Sequence, residues 1–497
     1  MKKYIYSLLV VGGILFGSCQ NEFLDTAPTD EVSADAAVAT TSNALSLLNG
    51  IHRSLYYRKS FGAQGRSGQG AIYIYMDALG EDQVVHREQW FNRVYKWTDG
   101  RNTTGGYNVY QWQFYYELIA NANILINGID AAEGLPEEKA SIKSQALAYR
   151  AWCHYQLVQM YGGRYVVGGG NNQLGVPVKL NTTDLNLARA SVEEVYTQIN
   201  TDLAAAFAGL NGYSRANKTH FNANVVKGLM ARVALTQGNW TGAATMAAEA
   251  RAGYSLMSQA TYADGFRIGS EGNSEFMWAS QIIADQTDKW GNFGGYMSRN
   301  FSSSAIRGNP RSINSLLYDK ISATDVRKGL FDPTGLHLNL PAGVSLLNSH
   351  ARKPYTSQKF IAVDNGDSRV DVPHMRAAEM YLIQAEALAR QGGQDGPAAA
   401  ALFTLASSRD SGYTLSANTG AALIEEIMVQ RRVELWGEGF RFLDLKRLGL
   451  ALDRTGANHI AALANNNMQI PASDLRWEWL IPQLEIDANS NMVQNPL

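Results

Sequence analysis

The apolar and polar positions divide the chain into a short apolar leader, several helical stretches and long irregular ones. Lys2 and Lys3 precede an apolar run over 5–16 that only Ser7 and a glycine pair interrupt, and Gly17, Ser18 and Cys19 follow. A basic start, an apolar run and small residues make a secretory signal peptide over 1–18, shorter than the ~20 apolar residues of a membrane helix. No later stretch approaches that length. From Ser33 the chain turns helical, and an Ala-rich run to Leu48 predicts a capped helix ending near Gly50. Residues 59–75, rich in Gly, Ser and Tyr, predict a loop. Over 86–110 aromatics alternate with polar and turn residues, without the period of a buried helix. In 141–161, Ala146, Tyr149, Cys153, Leu157 and Met160 recur every three or four residues, up to Gly162-Gly163. The same pattern predicts helices over 221–237 and 375–391, each turning at glycine into an Ala-rich partner, over 243–252 and 398–408.

Two of these pairs resemble each other. Residues 231–238 and 385–392 share small residues and a Gln-Gly ending, and each resembles the helix-turn-helix unit of tetratricopeptide repeats. The copies lie too far apart for a regular array, so long insertions separate them. The largest, about 254–370, is Gly-, Asn- and Ser-rich and carries Trp278, Trp290, Phe293, Tyr296 and Tyr355. Loops of that size carry function or have structure of their own. The leader's end resembles a bacterial lipobox, although Phe16 stands where Leu is usual. That resemblance implies cleavage before Cys19 and lipidation of Cys19. Several acyl chains at about 0.8 kcal/mol per buried methylene then give stable anchoring, with a tether over about 19–32.

Composition narrows the class. A formal net charge of −2 leaves no overall basic footprint for nucleic acid. The two cysteines are Cys19 and Cys153, so a lipidated Cys19 rules out an intrachain disulfide, and Cys153 reads as a small buried hydrophobe. The eight histidines are scattered without a metal-binding spacing, and neither a GxSxG nor a P-loop lysine motif occurs. No cofactor or metal is expected. Asp364-Asn365-Gly366-Asp367 could hold Ca²⁺ through oxygen ligands, but it lacks EF-hand spacing and reads more readily as a turn.

The C-terminal run Gln430-Arg431-Arg432-Val433-Glu434-Leu435-Trp436-Gly437-Glu438-Gly439-Phe440-Arg441-Phe442-Leu443-Asp444 resembles the signature of the RagB/SusD family. So do Trp479, Pro482-Gln483 and Gln494-Asn495-Pro496 near the end, Phe23-Leu24-Asp25 after Cys19, and Trp112 with Tyr115-Tyr116 and Asn123. The resemblance spans nearly the whole chain. It implies a predominantly all-α, SusD-like domain over 19–497, built on four tetratricopeptide-like helix pairs with loop-rich insertions. It implies a non-catalytic outer-membrane lipoprotein on the cell surface. Such a protein captures oligo- or polysaccharide and delivers it to a SusC-like TonB-dependent transporter. Peptides or other nutrients remain alternative ligands, and a glycoside hydrolase on a helical scaffold remains an alternative function.

Sugar rings stack on flat aromatic faces while polar side chains bond their hydroxyls. Trp90, Trp97 and Tyr107, with Arg101 and Asn102, form a first candidate platform. Trp290, Phe293, Tyr296 and Arg299 form a second. Trp112, Trp152, Trp240 and Trp436 sit at helical spacing or inside the signature and read as core. Glu434 and Glu438, four apart, have the spacing of an acid/base pair, but their arginine neighbours favour an ion-pair network.

Overall fold

The computed structural model describes residues 33–57, 64–267, 269–286 and 289–497. The signal peptide, Cys19 and the tether lie outside the described residues. The scaffold is a curved stack of helices. After α1 (Thr41–Ser54) and α2 (Gly68–Leu79) come the long helices α3 (Gly106–Gly128) and α4 (Pro136–Tyr161), packed on each other. Next are α5 (Val192–Gly209), α6 (Ala223–Gln237) and α7 (Trp240–Ala250), and each helix from α4 to α7 packs on the next. The stack resumes with α8 (Ala377–Gln391), which lies against α7, then α9 (Asp395–Arg409) and α10 (Gly420–Glu434), both on α8. The short α11 (Arg441–Leu448) returns to α2. The fold is helical and tetratricopeptide-like, as the resemblance implies. The two similar pairs are α6–α7 and α8–α9. Gly238 closes α6 at φ +71°, and Gly392 closes α8 at φ +75°, a backbone region that costs other residues a steric penalty.

Three boundaries differ from expectation. The first predicted helix is broken: Ser33 caps only Ala34–Ala37, and Thr40 starts α1, its hydroxyl accepting from the Asn43 amide at 3.1 Å. The chain then stays helical past Gly50 to Ser54. Residues 68–75, predicted as loop, belong to α2. Every residue of α2 is buried, so it lacks the polar stripe that reveals a helix in sequence. The long helix α4 starts at Pro136, earlier than its periodicity suggests, because Pro suits a first helical position.

The large insertion is framed by two antiparallel strands, β1 (Phe276–Ser280) and β2 (Val372–Arg376), with Ser280 opposite Val372. A second, four-stranded antiparallel sheet joins the insertion to the segment after α2. From one edge to the other its strands are Gln83–Val84, Ser312–Ile313, Thr356–Ser357 and Phe331–Asp332. Trp112, Trp152 and Trp436 are buried, as is Cys153, while Trp240 is partly buried against the core. Among the described residues no helix is long and apolar enough to cross a membrane.

Candidate functional site

Beyond the Gln83–Val84 edge strand the chain makes a short helical turn, Asn92–Tyr95, before α3. Here lies an open depression of about 510 Å³, lined by Trp90, Phe91, Asn92, Arg93, Tyr107 and Ser304, with Gln89 at its edge. Ser304 comes from the insertion, and the Gln89 side chain donates to its carbonyl at 2.8 Å. Trp90 is half-buried and rests edge-on against Tyr296, 6.2 Å between centroids. Phe91 is buried and packs on Tyr107 at 5.5 Å and on Tyr296 at 4.8 Å. The Tyr107 hydroxyl accepts the Phe91 amide at 3.3 Å. Phe91 holds φ +69°, uncommon for a bulky side chain. Such strain persists where surrounding packing fixes it, and it clusters at binding sites.

The structure thus separates the predicted residues. Trp90 and Tyr107 reach the depression. Trp97 does not, contrary to expectation: it is buried, its indole N–H donates to the Leu79 carbonyl at 3.0 Å, and its ring abuts Trp477 at 4.8 Å. Arg101 is turned toward the C-terminal segment, donating to the carbonyls of Glu478 at 3.0 Å and of Leu475 and Pro496. Asn102 closes a turn, its side chain accepting from the Thr104 amide at 3.0 Å. In the second group only Trp290 is open. It is 46% exposed and leans on Phe301 at 5.4 Å. Phe293 is buried against Phe360 at 5.0 Å, and Tyr296 is buried behind Trp90 and Phe91. Arg299 is buried too, donating to the Ala351 carbonyl at 2.6 Å. The two groups, separate in sequence, adjoin in the fold: Gly291, beside Trp290, lies against Gln64, and Gly65 lies against Phe91 and Tyr107. Sequence reasoning missed Phe91, Gln89, Asn92, Arg93 and Ser304. The first four stand beside Trp90 and carried a usable signal, whereas nothing local marks Ser304.

A larger concavity of about 730 Å³ runs along the opposite edge strand, past Tyr318, Phe331 and Leu338. Several of its polar groups are engaged within the protein. Asp332 accepts from the amides of Thr334 and His337, and the Lys328 ammonium donates to the Ile321 carbonyl at 2.6 Å. Asp364-Asn365-Gly366-Asp367 is a turn in which the Asp364 carboxylate accepts the amides of Gly366 and Asp367. Among the described residues no cluster of metal-ligating side chains occurs.

Glu434 and Glu438 are buried in an ionic cluster. Arg376 bridges them, at 2.8 Å to Glu434 and 2.6 Å to Glu438. Arg327 reaches Glu434 at 3.1 Å, and Lys359 reaches Glu438 at 2.6 Å. Burial pushes the Glu434 carboxyl up, but Arg409, Arg376 and Arg327 outweigh it and hold the group well below the carboxylate range. An ionised, enclosed pair cannot serve as general acid and base toward a bound substrate.

Two sequence models match the chain. One, described as starch-binding associating with outer membrane, matches residues 22–235, and that of the SusD family matches residues 336–497. The chain belongs to the SusD/RagB family. A SusD-like protein of Formosa agariphila is 24% identical over 69% of this chain and 70% of its own length. A SusD-like carbohydrate-binding protein from Bacteroides vulgatus superposes with a TM-score of 0.78 at 24% identity, over 91% of this SusD-family chain and 97% of its own. A laminarin-binding SusD-like protein superposes with a TM-score of 0.69 at 21% identity, over 92% of this chain and 99% of its own.

Proposed function

We propose that this SusD-family chain is a non-catalytic, surface-anchored glycan-binding protein that captures oligo- or polysaccharide for a SusC-like TonB-dependent transporter. The observation that carries the reading is the Trp90–Tyr107 depression, in which a partly open indole is backed by buried rings and edged by amide and hydroxyl groups. A pyranose ring offers a C–H face to such an indole, and Gln89, Asn92 and Ser304 can bond its hydroxyls. The exposed Trp290, in an adjoining segment, supplies a second contact along a polymer. Family membership and the carbohydrate-binding relatives support the ligand class.

Affinity electrophoresis through gels carrying a polysaccharide panel tests it. Trp90→Ala abolishes retardation and Trp290→Ala weakens it, while both variants remain folded with a cooperative thermal transition. Retardation unchanged in Trp90→Ala would place the ligand elsewhere. For anchoring we propose the lipid on Cys19. Cys19→Ala then moves the protein from the membrane to the soluble fraction, and a variant that still pellets with membranes would exclude that anchor.

A further inference from the structure

The segments that build the Trp90 face carry positive charge out of keeping with the chain's formal net charge of −2. Residues 86–107 hold Arg87, Arg93, Lys96 and Arg101 against Glu88 and Asp99. Residues 289–312 hold Lys289, Arg299, Arg307 and Arg311 and no acid. Both acids are engaged: Glu88 pairs with Lys96, and the buried Asp99 receives Arg93 at 3.2 Å and the amides of Tyr107 and Asn108. At the Trp290 end Asp367 is paired with Arg369 at 2.6 Å.

Cations border the depression. Arg93 lines it while its Nε faces Asp99. Arg87 lies against Gly308, in the short helix Ser304–Gly308 that supplies Ser304. Arg87 and Arg307 are exposed, and neither has a carboxylate partner among the described residues. Beneath the floor, the buried Arg311 guanidinium sits 5.6 Å from the Phe91 ring centroid, and its Nε and Nη1 make no hydrogen bond among the described residues. Nearby imidazoles register the same field. His86 is pushed down to about 4, first by burial and then by Lys353, Arg311 and Arg299. A low-dielectric concavity bordered by one sign of charge concentrates ligands of the other sign, and guanidinium groups match carboxylate and sulfate oxygens well.

We propose that the glycan captured on this face is anionic, carrying uronate carboxylates or sulfate esters that meet Arg87, Arg93 and Arg307 while a sugar ring stacks on Trp90. The inference rests on the glycan-binding reading and adds the charge of the ligand. The test is affinity electrophoresis of the chain from Gln20 onward, which keeps every described residue. The gels carry polygalacturonate, carrageenan, dextran or laminarin, at 50 mM and 500 mM NaCl. Retardation is expected in polygalacturonate if carboxylates are read, or in carrageenan if sulfates are. Screening and the double variant Arg87→Gln/Arg307→Gln should each weaken it by about tenfold, with the melting temperature kept. Trp90→Ala should abolish it. Retardation in a neutral gel that is salt-insensitive yet lost in Trp90→Ala would overturn the charge inference and leave the glycan reading standing. Retardation in an anionic gel that survives all three substitutions would overturn the inference as well. No retardation in any gel would count against both.

Discussion

Glu434 meets three guanidinium groups and no solvent. Arg327, Arg376 and Arg409 all bond its carboxylate, and Arg409 continues to Glu275 at 2.6 Å. Removing one member of such a buried cluster leaves charge uncompensated, which costs about 3–5 kcal/mol. Glu434→Gln should therefore lower unfolding stability by about that amount in urea titrations, and a loss below about 1 kcal/mol would contradict the bridging role. The signature run made the carboxylates legible, but its own arginines pair elsewhere, Arg431 with Asp444 and Arg432 with Asp82. It could not reveal Arg376, Arg409, Arg327 or Lys359, because their positions depend on how distant elements pack. Trp90 and Trp97 carry the same lesson. Both stand in one polar, turn-rich stretch, yet only the fold gives Trp97 the Leu79 carbonyl and a place beside Trp477. Trp97→Ala should cost about 3–5 kcal/mol as a core truncation, whereas Trp90→Ala, at a half-buried ring, should cost clearly less.

At the level of elements, the two similar helix pairs invite a controlled comparison. Both α6 and α8 end on a glycine at positive φ, but Gly238 has ψ 17°, in the left-handed helical region where alanine costs roughly 1–2 kcal/mol, whereas Gly392 has ψ 138°, closer to conformations that only glycine adopts readily. The surroundings differ. A Cβ at Gly392 meets nothing within 4 Å, but one at Gly238 would lie 2.4 Å from Val167. Gly238→Ala should thus lose stability through both strain and the Val167 collision and Gly392→Ala through strain alone, so adding Val167→Ala should restore part of the melting temperature lost in Gly238→Ala, and no such rescue would mean that the 167 loop yields freely. These helix ends were readable because glycine after a periodic run has a local cause. Helix α2 was not, because full burial erases the contrast between faces. The split before α1 was hidden for a related reason: an Ala-rich run suits a helix whether or not a threonine interrupts it as a cap.

For the molecule as a whole, all eight histidines are held below their ordinary range, burial being the largest cause for each. His374, between Tyr73 and Ser280, stands at about 3, and His337 at about 4. A depressed folded value means that the unfolded chain takes up protons first, from about pH 6.5 downward. The histidine contribution to stability is complete above that pH and is lost as the pH falls toward 4. The melting temperature should drop by several degrees between pH 7 and pH 5, before the arginine-held carboxylates protonate. A flat profile across that interval in scanning calorimetry would argue that these imidazoles are hydrated.

The strand pair that frames the insertion has a consequence for how such proteins diversify. Ser280 and Val372 face each other, so the chain departs from the scaffold and rejoins it at one point. Everything between forms an exchangeable cassette, and the scaffold senses little of its length. The cassette is keyed, however. It brings Arg327 and Lys359 to the carboxylates of Glu434 and Glu438, and it brings Ser304 and Tyr296 to Trp90. A transplanted cassette from a relative would dock only if it carried equivalent cations, and a successful transplant would recast half of the ligand face in one step.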